Sequence, residues 1–233
     1  MILYCNSDSY GVCSDTDMRY SEFLGELLNV DHVINNGLGG ACNRRILRTT
    51  VRDLLELKAQ HPEQDILAVI CLGSLIRNEW WNPDAVPGTN NDGHYQSFQI
   101  HGTDYKNQPF VRYANEWYRL YDDEAEQTNL LMELTLLTGW LELNQIKYIM
   151  FAGNSLTYKK LDYSDVFIRD FANNIFSNPR ILNINDFSFV KYCIDRGHHP
   201  YDYDLWMNNG HHGESAHKDF AGFLYKFYNK IYT

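Results

Sequence analysis

The residues with chemistry to offer lie near the two ends of the chain. Ile2-Leu3-Tyr4-Cys5 is a short apolar run that stops at Asn6-Ser7-Asp8-Ser9-Tyr10-Gly11. Buried strands of α/β proteins end in this way, with a functional turn at their C-terminal end. Ser9, beside Asp8 and ahead of Gly11, can present its hydroxyl to a crevice there, and its own N–H can face a developing oxyanion. A serine hydroxyl is a weak nucleophile without a base. The segment Asn208-Asn209-Gly210-His211-His212-Gly213-Glu214-Ser215-Ala216-His217 offers imidazoles, whose ordinary titration lies near neutrality. The expectation is a fold that brings Ser9 and these histidines to one pocket.

The stretches between must do the positioning. Residues 2–5 read as a first strand. Tyr20, Phe23, Leu24, Leu27 and Leu28 repeat at helical spacing after cap residues in Ser14–Asp17. His32-Val33-Ile34 is a second strand, ending at Asn35-Asn36-Gly37-Leu38-Gly39-Gly40. A helix with Leu47, Val51, Leu54 and Leu55 on one face then runs to Pro62. Ile66-Leu67-Ala68-Val69-Ile70-Cys71-Leu72 is the most apolar run and reads as a central parallel strand ending at Gly73-Ser74. From Glu79 to Asp122 the periodicity breaks, in a stretch rich in Trp, Tyr, Pro, Gly and Asn. A loop of that length is usually functional or disordered, and its aromatic content argues against disorder. It reads as a lid-like insertion at 79–122, folded over the active-site edge. Leu130, Leu134, Leu137 and Leu141 mark a long helix, Ile146–Ala152 a fourth strand and Asp165–Phe176 a helix. Ile181-Leu182-Asn183-Ile184 reads as a fifth strand, and Ala216, Phe220, Phe223, Leu224, Phe227 and Ile231 form the stripe of a C-terminal helix.

This alternation predicts a parallel sheet with helices on both faces. Right-handed crossovers place the post-strand loops on one edge. Residues 1–233 read as a single domain of 44% hydrophobic content. The net charge of −10 argues against a nucleic-acid footprint, and no apolar run approaches the roughly 18 residues of a membrane span. Met1-Ile2-Leu3 passes at once into polar residues, so no signal peptide is expected. Cys5, Cys13, Cys42, Cys71 and Cys193 are odd in number and widely spaced, which fits reduced thiols in a cytoplasmic setting. Cys5 and Cys71 lie in apolar runs and read as core.

The spaced blocks resemble those of the SGNH, or GDSL-type, hydrolases. Ser7-Asp8-Ser9 stands where that family has Gly-Asp-Ser, Asn35 through Gly40 where it has Asn and then glycine, and Gly73 where it opens Gly-x-Asn-Asp. Asn208 to His212 stand where it has Asp-x-x-His. Asn43-Arg44-Arg45-Ile46-Leu47-Arg48-Thr49-Thr50 resembles a block of bacteriophage members. The resemblance implies a flavodoxin-like three-layer α/β/α sandwich with a five-stranded parallel sheet in the order 2-1-3-4-5. It also implies a serine esterase or deacylase acting on small or carbohydrate-linked esters through an acyl-enzyme. Ser9 is then the nucleophile and His211 the base. The oxyanion hole comes from the Ser9 and Gly40 N–H groups. Two positions depart from the family. Asn208 stands for the orienting Asp, with Asp202 or Asp204 as alternatives. Leu75 stands for the oxyanion Asn, with Ser74 or Asn78 as alternative donors.

Other readings of the same residues stay open. His212 can replace His211 as base. Asp8 can contact the substrate or be a turn or cap residue. Asn43, Arg45 and Arg48 can hold an anionic substrate group or form a polar helix face, and Arg45 can pair with Glu79. Trp80 and Trp81 can be lid aromatics, with Trp80 at the substrate, or pack as core. Gly197-His198-His199 and Gly210-His211-His212, with Asp202 and Asp204, carry ligand types at spacings of no common metal site, so neither metal nor cofactor is expected. The expected partner is an ester substrate, small or glycan-linked, rather than nucleic acid or membrane; a homo-oligomer is compatible. The setting implied is the cytoplasm of an infected host or a virion. A catalytically inert binding or structural protein on the same scaffold is the alternative.

Overall fold

A computed structural model describes residues 1–12, 17–81, 91–92, 95–99, 109–154, 166–198 and 211–233. Four strands, β1 (Ile2–Asn6), β2 (His32–Asn35), β3 (Ile66–Leu72) and β7 (Lys147–Ala152), form a parallel sheet in the order β2-β1-β3-β7. The helices on its faces are α1 (Tyr20–Leu28), α2 (Asn43–Gln60), α4 (Asp123–Leu143), α5 (Val166–Ser177), α6 (Phe189–Asp195) and α7 (Glu214–Tyr232).

The two-residue period of a strand sorts the core. Ile2, Tyr4, Ile66, Ala68, Ile70, Leu72, Tyr148 and Met150 point to the side of α2, α4 and α5. Leu3, Cys5, Leu67, Val69, Cys71, Ile149 and Phe151 point to the side of α1, α6 and α7. Every residue of β1 and β3 is buried, as expected of strands covered on both faces.

The doubly wound architecture is the one the alternation predicts, but the regular sheet has four strands rather than five. Ile181 makes one parallel bridge to Met150, and Ser188 another to Ala152. Between them Asn183 turns the chain: its side-chain oxygen accepts from the Asn185 N–H at 3.1 Å and its carbonyl from Phe187 at 2.8 Å. Asn competes in this way with a sheet ladder, and a sequence that reads as a fifth strand becomes two bridges around a turn. Ser188 then caps α6, accepting from Lys191 N–H at 3.1 Å.

The stretch read as an irregular insertion contains regular structure. β4 (Arg77–Trp81) pairs antiparallel with β6 (Tyr95–Gln99), which also pairs with β5 (Asn91–Asp92); α3 spans Pro109–Leu120. Phe98 and Ala114 are buried there against Trp80, Trp117 and Tyr118. Trp, Tyr and Phe favour paired strands, and here they give the insertion a small core of its own. Arg48 on α2 anchors it, with a two-toothed bond to Glu79 at 3.0 and 2.8 Å and its guanidinium 3.7 Å over the Tyr95 ring. The partner of Glu79 is thus Arg48, not Arg45.

Candidate active site

The turn after β1 is built from main-chain bonds and one buried carboxylate. Asp8 Oδ1 accepts from Tyr10 N–H at 3.1 Å, and the Asp8 carbonyl accepts from Gly11 N–H at 3.1 Å. The Asp8 side chain is buried, and its Oδ2 accepts from Arg77 at 2.8 Å. Burial pushes the Asp8 carboxyl up, while the Arg77 guanidinium and the Tyr10 N–H pull it down. Ser9 is half-buried at the crest of this turn, and its hydroxyl donates to no described residue.

The other post-strand turns close around it. Leu38 N–H bonds to the Ser7 carbonyl at 3.0 Å, and the turn from Leu38 to Ala41 holds Gly40 at φ +78, a left-handed conformation that suits glycine. Gly73 N–H donates to Asn43 Oδ1 at 2.8 Å, and Asn43 Nδ2 returns a bond to the Gly73 carbonyl at 3.4 Å. A Cβ on Gly73 would stand 2.9 Å from the Ala41 carbonyl oxygen and 3.5 Å from the Asp8 side chain. This close packing of three turns requires glycine. After β7, Gly153 N–H bonds to the Leu72 carbonyl at 2.8 Å, and Asn154 reaches the Tyr10 hydroxyl at 3.3 Å.

The histidines arrive from the start of α7. The His211 ring stands edge-on to Tyr10, centroids 5.8 Å apart, so the half-buried His211 lies against the residue that follows Ser9. The two chain ends therefore meet. His212 is buried and edge-on to Phe189 at 5.6 Å. His217 is fully buried, stacked on Tyr20 at 6.0 Å and tilted over Phe189 at 5.0 Å. Its Nδ1 accepts from Tyr20 N–H at 3.3 Å. Burial, with His212, Arg19 and His211 nearby, lowers its pKa to about 4.

That shift fixes a pH dependence. The folded chain holds His217 neutral, whereas the unfolded chain protonates it below about 6.5. The contribution is complete above that pH and is lost as pH falls towards 4, by roughly 3 kcal/mol in full. His217→Phe keeps the stacking and removes the titration. Urea midpoints at pH 7 and pH 4.5 are expected to fall less in this variant than in the wild type. Equal falls would place the acid sensitivity elsewhere.

The remaining expected site residues divide. Ser74 is half-buried and its hydroxyl accepts from Ile76 N–H at 3.4 Å. Asn43 is buried in its clasp on Gly73. Arg45 is buried and donates to the Asn36 carbonyl at 3.2 Å. Thr49 and Thr50 receive bonds from buried Asn6 at 2.8 and 3.0 Å. The Asn43–Thr50 block thus ties α2 to the turns that frame the site. Trp80 packs on Tyr113 at 4.8 Å, within the insertion. Leu75 is buried in the core, and Asn78 is buried with its oxygen on Glu79 N–H at 2.8 Å. Asn208, Asp202, Asp204 and His199 lie outside the described residues. His198 pairs with Asp219 at 3.3 Å. Among the described residues no His, Cys, Asp and Glu side chains gather as metal ligands. The four described cysteines are buried, and burial pushes each thiol up, Cys42 to about 12. This removes the nucleophilic form at neutral pH. No described helix is long and apolar enough to cross a membrane.

Two further residues matter that sequence reasoning missed. Tyr10 bridges the serine turn to His211 and Asn154. Arg77 neutralises Asp8. The signal for Arg77 is faint: one cation directly after the apolar Leu75-Ile76 pair.

A family model described as "Family of unknown function (DUF6071)" matches residues 14–175. The matched span begins after Ser9 and ends before His211. Among solved structures, a G-D-S-L family protein from Desulfitobacterium hafniense DCB-2, provisionally described as lipolytic, superposes with a TM-score of 0.50 at 12% identity. The match covers 97% of this chain and 98% of that one, and shows a shared fold. No curated protein matches the sequence.

Proposed function

We infer that this chain, which belongs to the DUF6071 family of unknown function, is a serine hydrolase of carboxylic esters. The observation that carries the reading is the meeting of the two chain ends, with Tyr10 beside Ser9 in edge contact with the His211 ring. The fold shared with a G-D-S-L protein adds to it. Ser9 Oγ attacks the ester carbonyl carbon while His211 takes the hydroxyl proton. The tetrahedral oxyanion receives the Ser9 and Gly40 N–H groups, with Ser74 beside them. Collapse expels the alcohol, which leaves with the proton from His211. Water, deprotonated by the same imidazole, then frees the acid and restores the serine. Asn208 is assigned to orient His211; an amide oxygen accepts an imidazole N–H without supplying charge. Small or carbohydrate-linked esters are the substrate class.

A fluorophosphonate probe tests this, because only an activated serine reacts. One adduct mapped by mass spectrometry to Ser9, absent from Ser9→Ala, is the expected result. Unmodified Ser9 after prolonged exposure would sink the proposal. It would favour a second reading, a binding protein on this scaffold, for which one feature speaks: at the position of the family's oxyanion Asn, Leu75 is turned into the core.

A further inference from the structure

His211 needs a fixed direction to act on Ser9, since a misplacement of about 1 Å can cost on the order of 10² in rate. Its own stretch of chain supplies little of that direction. It lies in no helix or strand. Gly210 and Gly213 flank the histidine pair, and glycine is the residue with the most backbone freedom. Tyr10 meets its ring, with centroids 5.8 Å apart and planes at 89°.

Tyr10 is itself held at several points. Its N–H donates to Asp8 Oδ1 at 3.1 Å, and its hydroxyl accepts from Asn154 Nδ2 at 3.3 Å. Its ring packs on the buried Phe189, centroids 6.4 Å apart. Beside the ring, Gly153 leaves room that a larger residue would fill. A Cβ there would stand 2.7 Å from Tyr10 Cδ2 and 3.1 Å from Cys71 Sγ. Gly153 is pinned on both sides: its N–H donates to the Leu72 carbonyl at 2.8 Å, and its carbonyl accepts from Val190 N–H at 3.1 Å. The glycines at positive φ among the described residues are Gly40 and Gly197. At Gly153, therefore, it is close approach and not backbone conformation that demands glycine. Burial and the nearby Asp8 carboxylate push the Tyr10 hydroxyl pKa up, so the anchor on Asn154 stays neutral near pH 7.

We propose that Tyr10 is a positioning residue: locked between Gly153, Asn154 and Phe189, its ring fixes the direction of the His211 imidazole. As a part of catalysis this rests on the serine-hydrolase reading; as a contact it is measurable without it.

The imidazole C–H resonances of His211, assigned by their loss in His211→Ala, report the ring directly. In Tyr10→Leu they are expected to lose the shift imposed by the aromatic neighbour, while those of His217 stay in place. Gly153→Ala, which crowds Tyr10 rather than His211, should move them as well. Tyr10→Phe, which keeps the ring, should keep most of the wild-type shift. With p-nitrophenyl acetate, Tyr10→Leu is expected to lower kcat by about 10–10²-fold at a KM within about threefold, and Tyr10→Phe by no more than about fivefold. Urea midpoints establish that the variants are folded. Wild-type His211 resonances in Tyr10→Leu would overturn the proposal, whether or not the protein hydrolyses esters. In an active protein, moved resonances with an unaltered kcat would overturn it too. A wild type that neither hydrolyses esters nor reacts with fluorophosphonate would instead remove the hydrolase reading, and the resonances alone would then decide whether Tyr10 holds His211.

Discussion

His211→Ala is expected to lower hydrolysis of p-nitrophenyl acetate by about 10²–10⁴-fold, the usual worth of a positioned general base. His212→Ala is expected to leave the rate within about tenfold and to lower stability instead. The two histidines are adjacent in sequence but not in environment. His211 is half-buried against Tyr10, next to the serine, whereas His212 is buried with its ring edge on Phe189. An imidazole must reach both Ser9 Oγ and the leaving alcohol, which a ring packed into the core cannot do. Because nucleophile and base act as a unit, Ser9→Ala with His211→Ala should be no slower than the worse single variant. A larger loss for His212→Ala would move the base to that residue. Unchanged rates in both would remove serine–imidazole chemistry from this protein.

The sheet was legible because period and apolarity agree in its strands. Ile66–Leu72 has no polar residue and sits at the centre, buried on both faces. The turns were legible because Gly, Ser and Asn cluster where strands stop. Two features were not. Asn183 within Ile181–Ile184 gives no sign in the apolar pattern that its side chain will form a turn. In the insertion, strand and helix signals are diluted by Gly, Pro and Asn, and its core forms only when Phe98 meets Trp117 across the fold, at 5.5 Å.

The Asn43–Thr50 block shows why residue types alone mislead about a site. Two arginines and an asparagine beside a glycine-rich turn look like an anion cradle. In the folded chain Asn43 holds Gly73, Arg45 holds the Asn36 carbonyl, Arg48 holds Glu79, and the threonines meet Asn6. Polar groups inside a protein must be satisfied, and of these Asn43 and Arg45 bond the main chain where the strands end, while Arg48 and the threonines meet other side chains. Their role is to fix the turns that carry Ser9 and Gly40.

Arg77→Leu is expected to destabilise the fold by about 3–5 kcal/mol, the cost of leaving one partner of a buried ion pair behind. Asp8 has no exposed surface, and Arg77 is its cation at 2.8 Å. Without Arg77, burial is opposed only by main-chain N–H groups such as that of Tyr10, and the carboxyl pKa rises further. A group whose folded pKa exceeds its unfolded value favours the fold below the unfolded value and loses that contribution as pH rises through the folded one. The deficit of Arg77→Leu against the wild type should therefore shrink between pH 7 and pH 4.5. Adding Asp8→Asn to Arg77→Leu should restore much of the loss at pH 7, since no buried charge remains. Urea unfolding of the three proteins at both pH values measures this. A deficit that ignores pH and survives the double change would mean that Arg77 acts through its packing, and that the serine turn does not depend on this pair for its charge balance.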